Sequence, residues 1–367
     1  MRVMHLESGN SFYGGAKQVL DLTEGLSEKK INNYLLCRPT SLIKKKYKGK
    51  KNWVNIVEMP MRGELDLFFY SNLKKILKIY KPHILHVHSR RGVDYYSGLC
   101  AKSLGIPSII TRRVDSIEIK KIARIKYNSY DAVIAISKSI QNYLINYLGI
   151  DKSIVHYIPS GVSLNRNNYN FSNNSIIKKL NLPSDINFTI GIISQLIPRK
   201  GHLEFFMLLR ELIEKHPKIH VICFGDGYLR KKIEYKLNSL NLNEYVSLVG
   251  FRSDIIDQIP KLDLVVHPAT REGLGLSILE SLSLGVPVVA YSIGGIRDII
   301  IDKVNGILIP PYDKLNFIDS IDRLISNPHE RDYLAMNCYK SIKEEFSINK
   351  MINSNLEIYN KIIRAYS

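Results

Sequence analysis

Cysteine is scarce in this chain and never clustered: Cys37, Cys100, Cys223 and Cys338 are the four thiols among 367 residues, with no C-x-x-C pair. That spacing excludes a disulfide scaffold and supplies no zinc or redox motif, so the thiols read as reduced and buried. No stretch approaches the ~18 uninterrupted apolar residues that span a bilayer, and the opening MRVMHLESGN lacks the apolar centre of a secretion signal. The expectation is a cytoplasmic protein, at most peripheral on the cytoplasmic face of the inner membrane. No Asp-x-Asp triplet occurs, which argues against a carboxylate-held ion, and no metal or cofactor is expected. Acidic side chains are also in deficit, 34 against 52 Lys and Arg, for a formal charge of +18. Anionic partners follow from that balance: phosphate, nucleic acid or lipid headgroups. An AT-rich genome, rich in Lys, Ile, Asn and Tyr codons, would produce part of the same excess.

What is present is an ordinary globular composition, 45% apolar and 23% charged, in a chain long enough for two cores. Short β-branched runs alternate with helical patterns: Val3 to Leu6, then an amphipathic Ala16 to Ser27, then Ile84 to His88, Ser108 to Thr111 and Ala132 to Ile136. This alternation implies parallel βαβ units. Between Ser160 and Asp185 the sequence turns polar and Asn-rich, as a connection between domains does. Strand patterns then resume at Phe188 to Ser194, Ile219 to Phe224, Val246 to Val249, Leu264 to His267 and Val286 to Ala290. The fold class expected is α/β: two Rossmann-like, doubly wound parallel-sheet domains facing a central cleft. Their expected bounds are 1–165 and 186–346, joined by a connection at 166–185. The tail 347–367 carries Met351, Leu356, Tyr359 and Ile362 on one helical stripe, which predicts a helix docked back on the first domain.

Open α/β sheets bind ligands beyond the carboxyl ends of their strands, so the loops after strands are where chemistry is sought. The run HPATREGLGLSILESLSLGVPVV, 267–289, ends a strand, passes a glycine loop and starts a helix near Gly275, Leu276 and Ser277. Free N–H groups at such a start favour a phosphate. Glu272 and Glu280 flank the loop, and carboxylates accept paired hydrogen bonds from vicinal sugar hydroxyls. The plainer reading leaves Glu272 solvated and Glu280 a helix-favouring charge. Arg199 and Lys200, in the turn after the first strand of the second domain, would neutralise a departing diphosphate; alone they would be a basic turn. Gly225 in Phe224-Gly225-Asp226-Gly227 permits close backbone approach. In the first domain Gly14 and Gly15 lead into a helix, His86, His88 and Ser89 end one strand, and Thr111, Arg112 and Arg113 end the next. His88, Ser89, Arg112 and Arg113 form the expected acceptor and sugar side, against a packing role for each histidine.

Together these segments resemble glycosyltransferase family 4, the retaining, nucleotide-sugar-dependent enzymes of the GT-B fold. The resemblance rests on FYGGAKQV, HVHS, AVIAISKSI, IPSGV, LIPRKGH, FGDGY, VSLVGFRSDI, HPATREGLGLSILESLSLGVPVV, YSIGGIRDII, NGILIPP and a closing helix begun by FS, in that order over nearly the whole chain. It implies that Glu280 binds the nucleotide ribose, that Glu272 contacts the donor sugar, that Lys200 pairs with the diphosphate and that Gly14 and Gly15 close over the donor. The chain departs from the family at Gln195, where an Arg is usual, at Lys17 and at Arg113. The pairing of HSRRG with TRRVD is similar to a bacterial subgroup of lipopolysaccharide-core and surface-glycan enzymes, which implies a glycan or lipid-linked acceptor. The basic run 44–53, with Trp53, is a candidate contact with an anionic membrane, or a solvated loop. Two rival readings remain open at this stage: a nucleotide-sugar 2-epimerase, and a non-catalytic basic module binding nucleic acid or membrane. No nucleic-acid-binding signature supports the latter, so no nucleic-acid partner is expected.

Overall fold

The computed structural model describes residues 1–47, 54–63, 66, 68–89, 92–164 and 185–366. Two compact units emerge, Met1–Gly161 with Ile348–Ser367, and Val162–Ser347. The changeover between Gly161 and Val162 falls a few residues before the expected connection, which apart from Asp185 lies outside the described residues.

The first unit contains β1 (Arg2–Glu7), α1 (Gly14–Glu28), β2 (Asn32–Cys37), β3 (Asn55–Glu58), α2 (Phe69–Tyr80), β4 (Ile84–Val87), α3 (Val93–Ser103), β5 (Ser108–Arg112), α4 (Lys120–Tyr127), β6 (Ala132–Ala135) and β7 (Val155–Tyr157). Its strands form one parallel sheet in the order β3-β2-β1-β4-β5-β6-β7. β4, β5 and β6 are buried along their whole length, the pattern of a sheet covered on both faces. α1 turns Ala16, Val19, Leu22 and Leu26 inward. Buried Gln18 donates to the Gly161 carbonyl and accepts from its N–H, both at 2.9 Å, fixing where the chain leaves the unit.

The second unit contains β8 (Phe188–Ile193), α5 (His202–Lys215), β9 (Ile219–Phe224), α6 (Arg230–Ser239), β10 (Val246–Gly250), β11 (Leu264–His267), α7 (Leu276–Ser283), β12 (Val288–Tyr291), β13 (Gly306–Ile309), α8 (Lys314–Ser326) and α9 (Pro328–Ile342). The order β10-β9-β8-β11-β12-β13 is again wholly parallel. Ile190, Ile192, Val221, Leu264 and Val266 meet Phe205, Leu209 and Phe317 in its core. The expected α/β, doubly wound architecture is thus the one present, twice over.

Strand order reverses between β1 and β4 in one sheet and between β8 and β11 in the other. At such points the connections leave in opposite directions, and the carboxyl ends of two neighbouring strands are left uncovered. Four strands escape the sequence pattern: β2 begins with two asparagines, β3 and β7 are edge strands of four and three residues, and β13 opens on a glycine. All four cysteines are buried, and burial pushes the thiols of Cys37 and Cys100 up to about 11.

The last helix, α10 (Ile348–Tyr366), belongs to the first unit. Met351, Ile352, Tyr359 and Ile362 join Val3, Leu22, Leu26, Ile84, Ile109 and Ile134 in one core. The approach to α1 is close: a Cβ on Gly25 would lie 2.0 Å from Ile352 Cδ1. Tyr359, fully buried, shares a 2.6 Å hydrogen bond with His86 Nδ1. Tyr359→Ala should therefore cost about 3–5 kcal/mol in urea unfolding, and Tyr359→Phe about 1–3 kcal/mol for the orphaned ring nitrogen. Losses below about 1 kcal/mol in both would make α10 a surface appendage.

Candidate active site

At the β8/β11 switch point, three segments are stitched together by main chain. The turn Ile197 to Gly201 leaves β8, and the Arg199 carbonyl accepts the Thr270 N–H at 2.8 Å from the loop after β11. Gly201 has φ +74°, and any Cβ there would stand 1.9 Å from the Pro268 carbonyl oxygen, so only glycine lets the two loops touch. On the other side Gly225, at φ +135°, lets the end of β9 pass Ser194, whose carbonyl oxygen would be 2.0 Å from a Cβ. These contacts bring Lys200 to the end of β11.

Lys200 is buried, and its Nζ donates to Glu272 Oε2 in an ion pair. His267, the last residue of β11, reaches the same oxygen with Nε2 at 3.1 Å. Burial alone would raise the Glu272 carboxyl, but the charge of Lys200 and the hydrogen bond from His267 outweigh it and hold the group well below the ordinary carboxylate range. Burial lowers the His267 ring, and Lys200 adds to the effect. His202, on the first turn of α5, shares a 3.3 Å contact with Ser194 Oγ, and burial, then Lys200 and His267, pulls its ring down to about 4. The cluster is one ammonium, one carboxylate and two neutral imidazoles. An ammonium has three donors, so the pair with Glu272 still leaves Lys200 able to bind an anion.

Three residues beyond Glu272, Gly275 takes φ 106° and ψ 66° and starts α7 with no side-chain cap and no acidic residue in the first turn. Ile278 and Leu279 N–H groups reach the Gly275 carbonyl; among the described residues the N–H groups of Leu276 and Ser277 have no acceptor. That open start is suited to a phosphate. Glu280 sits one turn further, on the face shared with Leu276 and Ser277, and is buried. Arg199 is exposed and donates to the Arg271 carbonyl at 3.2 Å.

The β1/β4 switch point of the first unit carries the second group. Ser89 Oγ accepts the Ser8 N–H at 2.6 Å, tying the two strand ends. His5 Nδ1 and His88 Nε2 are 3.1 Å apart, and His86 Nε2 is 2.7 Å from Thr111 Oγ1. Burial lowers all three rings, and neighbouring imidazoles or Arg113 add to it at His86 and His88. Ligand nitrogens of His5, His86 and His88 lie within 4.8 Å of one another, a possible metal-ligand spacing. Yet both nitrogens of His86 are already in hydrogen bonds, to Tyr359 and Thr111, and Arg113 adds positive charge, so the three rings read as neutral, hydrogen-bonded imidazoles.

Arg113 Nη2 approaches His88 Nδ1 at 3.4 Å, and its Nε is enclosed without a partner. A Cβ on Gly15 would lie 3.7 Å from Arg113 Cδ, placing the guanidinium beside the first turn of α1. Burial brings Arg113 down to about 10, so it keeps its charge at neutral pH, while Glu7 nearby is raised by burial. Gly14, Gly15, His88, Ser89 and Arg113 are therefore neighbours. Arg112 is not among them: it turns inward to Glu118, the Ser116 carbonyl and Tyr127 OH, with its guanidinium 4.6 Å from the Tyr143 ring centroid. Its buried charge has a structural partner, which is why it leaves the strand end to Arg113. In the basic run, Lys44 pairs with Glu58 at 2.7 Å, and residues 48–53, Trp53 included, lie outside the described residues.

His267, His202, His5 and Glu7 were not singled out from sequence. His267 and Glu7 each end a strand at a switch point, a signal that needs the strand order to be seen.

Two doubly wound parallel sheets, each with polar residues gathered at its switch point, are the architecture of the GT-B fold. Residues 12–166 match the family model described as Glycosyltransferase Family 4, and residues 172–341 match Glycosyl transferases group 1. The Escherichia coli UDP-Gal:alpha-D-GlcNAc-diphosphoundecaprenol alpha-1,3-galactosyltransferase is 24% identical over 308 residues, 80% of this chain and 79% of that one. The Staphylococcus aureus capsular polysaccharide biosynthesis glycosyltransferase CapM is 25% identical, covering 83% and 85%. Among solved structures, a Rickettsia africae glycosyltransferase matches with a TM-score of 0.86 at 21% identity, over 99% of this chain and 98% of that one. Anabaena HepE in complex with UDP and glucose matches at 0.84 and 20%, over 98% and 99%. The chain belongs to the family 4 glycosyltransferases, of the kind found in bacterial glycan biosynthesis.

The Lys200–Glu272 pair yields a pH test. Glu272 is more acidic folded than unfolded, so its contribution is full above the ordinary carboxylate value of 4.5 and is lost as pH falls below it. At neutral pH Glu272→Gln leaves Lys200 charged and enclosed and should cost about 3–5 kcal/mol. In urea titrations from neutral pH downward, the gap between variant and wild type should narrow; parallel curves would count against the pairing.

Proposed function

We propose that this chain is a retaining glycosyltransferase that moves a sugar from a nucleoside diphosphate donor to a glycan or lipid-linked acceptor. The observation that carries the reading is the buried Lys200–Glu272–His267 cluster three residues before the open start of α7. Such a site suits a diphosphate with a sugar ring on either side. Lys200, Arg199 and the Leu276 and Ser277 N–H groups would stabilise negative charge growing on the leaving diphosphate, Glu280 would accept ribose hydroxyls, and Glu272 would orient the donor sugar.

Retention follows if the acceptor hydroxyl attacks from the face the diphosphate leaves, a leaving-group oxygen taking its proton. No dedicated base, metal or cofactor is then required. Gly14, Gly15, His88, Ser89 and Arg113 would serve the acceptor and sugar side. The E. coli relative, named for a UDP-galactose donor and an undecaprenol diphosphate-linked acceptor, and the UDP complex of HepE support a nucleotide-sugar donor.

A thermal-shift screen against UDP-, GDP-, ADP- and CMP-sugars should identify one stabilising base. Glu280→Ala should weaken that nucleotide about ten- to hundredfold, the loss expected for charge-assisted hydrogen bonds, and abolish transfer without unfolding the chain. Wild-type transfer by the variant would refute the site. NMR of the product's anomeric centre tests retention, and donor turnover without any acceptor would point to the epimerase instead.

Arg113→Gln tests the acceptor side. It should raise the acceptor KM about tenfold, as for loss of a hydrogen bond to a charged group, and leave nucleotide binding unchanged. A selective effect on the nucleotide would move Arg113 to the donor.

A further inference from the structure

A line of polar side chains runs through the first unit, from the start of β2 to the carboxyl edge of the sheet. Asn33, His5 and His88 are buried along it. Asn33 Nδ2 lies within hydrogen-bond distance of three acceptors, the Thr23 carbonyl at 3.2 Å, the Ile31 carbonyl at 3.1 Å and Ser27 Oγ at 2.8 Å. Carbonyl oxygens only accept, so the amide nitrogen must face them, which turns Asn33 Oδ1 toward His5 Nε2, 3.2 Å away. From there the line continues from His5 Nδ1 to His88 Nε2 at 3.1 Å, and from His88 Nδ1 to Arg113 Nη2 at 3.4 Å.

Each link dictates the next. An amide oxygen only accepts, so His5 Nε2 carries a hydrogen. Burial lowers the His5 ring to about 4, so at neutral pH that N–H is its single one and Nδ1 is a lone pair. His88 must then donate from Nε2. Burial, followed by His86 and Arg113, lowers the His88 ring as well, so its one hydrogen is committed there and its Nδ1 faces Arg113 as an acceptor. A guanidinium only donates. The opposite tautomer would set a His88 N–H against a guanidinium N–H in an enclosed site and satisfy neither. His86, its centroid 3.9 Å from that of His88, has both nitrogens engaged by Tyr359 and Thr111 and stays outside the line.

We propose that Asn33 is a positioning residue for Arg113: the hydrogen-bond polarity set at the start of β2 is passed through His5 and His88, so that a lone pair meets the guanidinium and holds it beside Gly15. Asn33 acts only through two other side chains. Thr23 and Ser27, which orient its amide, lie on α1, the helix whose first turn Arg113 adjoins, so one helix supplies both ends of the line. The second of the two asparagines that open β2 thereby has a purpose that strand formation does not give it. The consequence for the acceptor and sugar side rests on the function proposed above; the tautomers do not.

The test is heteronuclear NMR of the full chain labelled at the histidine nitrogens, at neutral pH with no substrate, the His5 and His88 signals assigned by substituting each ring. In the wild type both rings should be neutral with the hydrogen on Nε2, giving a pyrrole-like Nε2 and a pyridine-like Nδ1. A hydrogen on Nδ1 of either ring, or an imidazolium, overturns the proposal. Asn33→Leu removes the first acceptor, so the Nδ1-protonated form of His5 should appear; an unchanged tautomer overturns the proposal. The same variant should raise the acceptor KM about fivefold, the loss of one hydrogen bond, with nucleotide affinity unchanged. His5 separates polarity from packing. His5→Phe keeps the volume of the ring but gives His88 no acceptor, whereas the amide oxygen of His5→Asn accepts where Nδ1 did. The acceptor KM should rise about fivefold in the first and stay near wild type in the second; the reverse order assigns the line to packing and overturns the proposal. Circular dichroism and the unfolding midpoint confirm that each variant is folded, and the wild-type spectrum tests the proposal without any of them. Should Arg113→Gln itself leave the acceptor KM unchanged, the acceptor-side role fails, and the tautomers alone decide the proposal.

Discussion

A lysine ammonium enclosed at the edge of a parallel sheet must find a carboxylate, and Lys200 finds Glu272. Around that pair the second unit is arranged: Gly201 and Gly225 lack side chains so that three loops can touch, and His267 and His202 stay neutral because burial and the nearby lysine disfavour a second positive charge. Replacing either charge alone would strand the other. The pair also holds Glu272 ionised beside the start of α7, so a carboxylate and an anion-binding helix end lie a few residues apart. A molecule with both hydroxyls and phosphates needs that combination.

The first unit solves a different problem with the same topology. Its switch point holds three buried imidazoles and one guanidinium, with the Glu7 carboxyl, raised by burial, nearby. Arg112, the last residue of β5, turns inward and compensates Glu118 inside the unit. Neighbours in sequence thus divide the labour: Arg112 ends the strand and is drawn inward by Glu118, while Arg113 follows in the loop beside His88. The core beneath is completed by α10, the last segment of the chain, whose Tyr359 hydroxyl closes the hydrogen-bond chain on His86.

Most long elements were legible in sequence. β-branched runs such as Leu264 to His267 are fully buried strands, and the period of Met351, Tyr359 and Ile362 marks the buried stripe of α10. The strands that escaped notice are short, polar at the start or glycine-led; each is held by the sheet edge it joins and carries no pattern of its own. In the site, Lys200, Glu272, Gly275 and Glu280 stand out because they punctuate strand, loop and helix. His267 and His202 look like core residues until Lys200 is seen beside them. Arg112 and Arg113 are indistinguishable as adjacent arginines, and only the position of Glu118 separates their roles.

By itself the sequence determined that there would be two parallel α/β sheets, where their glycine-marked turns fall, and which half carries the glutamate-flanked helix start, because periodicity and turn chemistry are local properties of the chain. Tertiary structure alone decided which charges compensate each other and which arginine stays at the strand end. Those outcomes depend on strand order and on contacts between residues up to 273 positions apart, as His86 and Tyr359 are, and no local pattern encodes them.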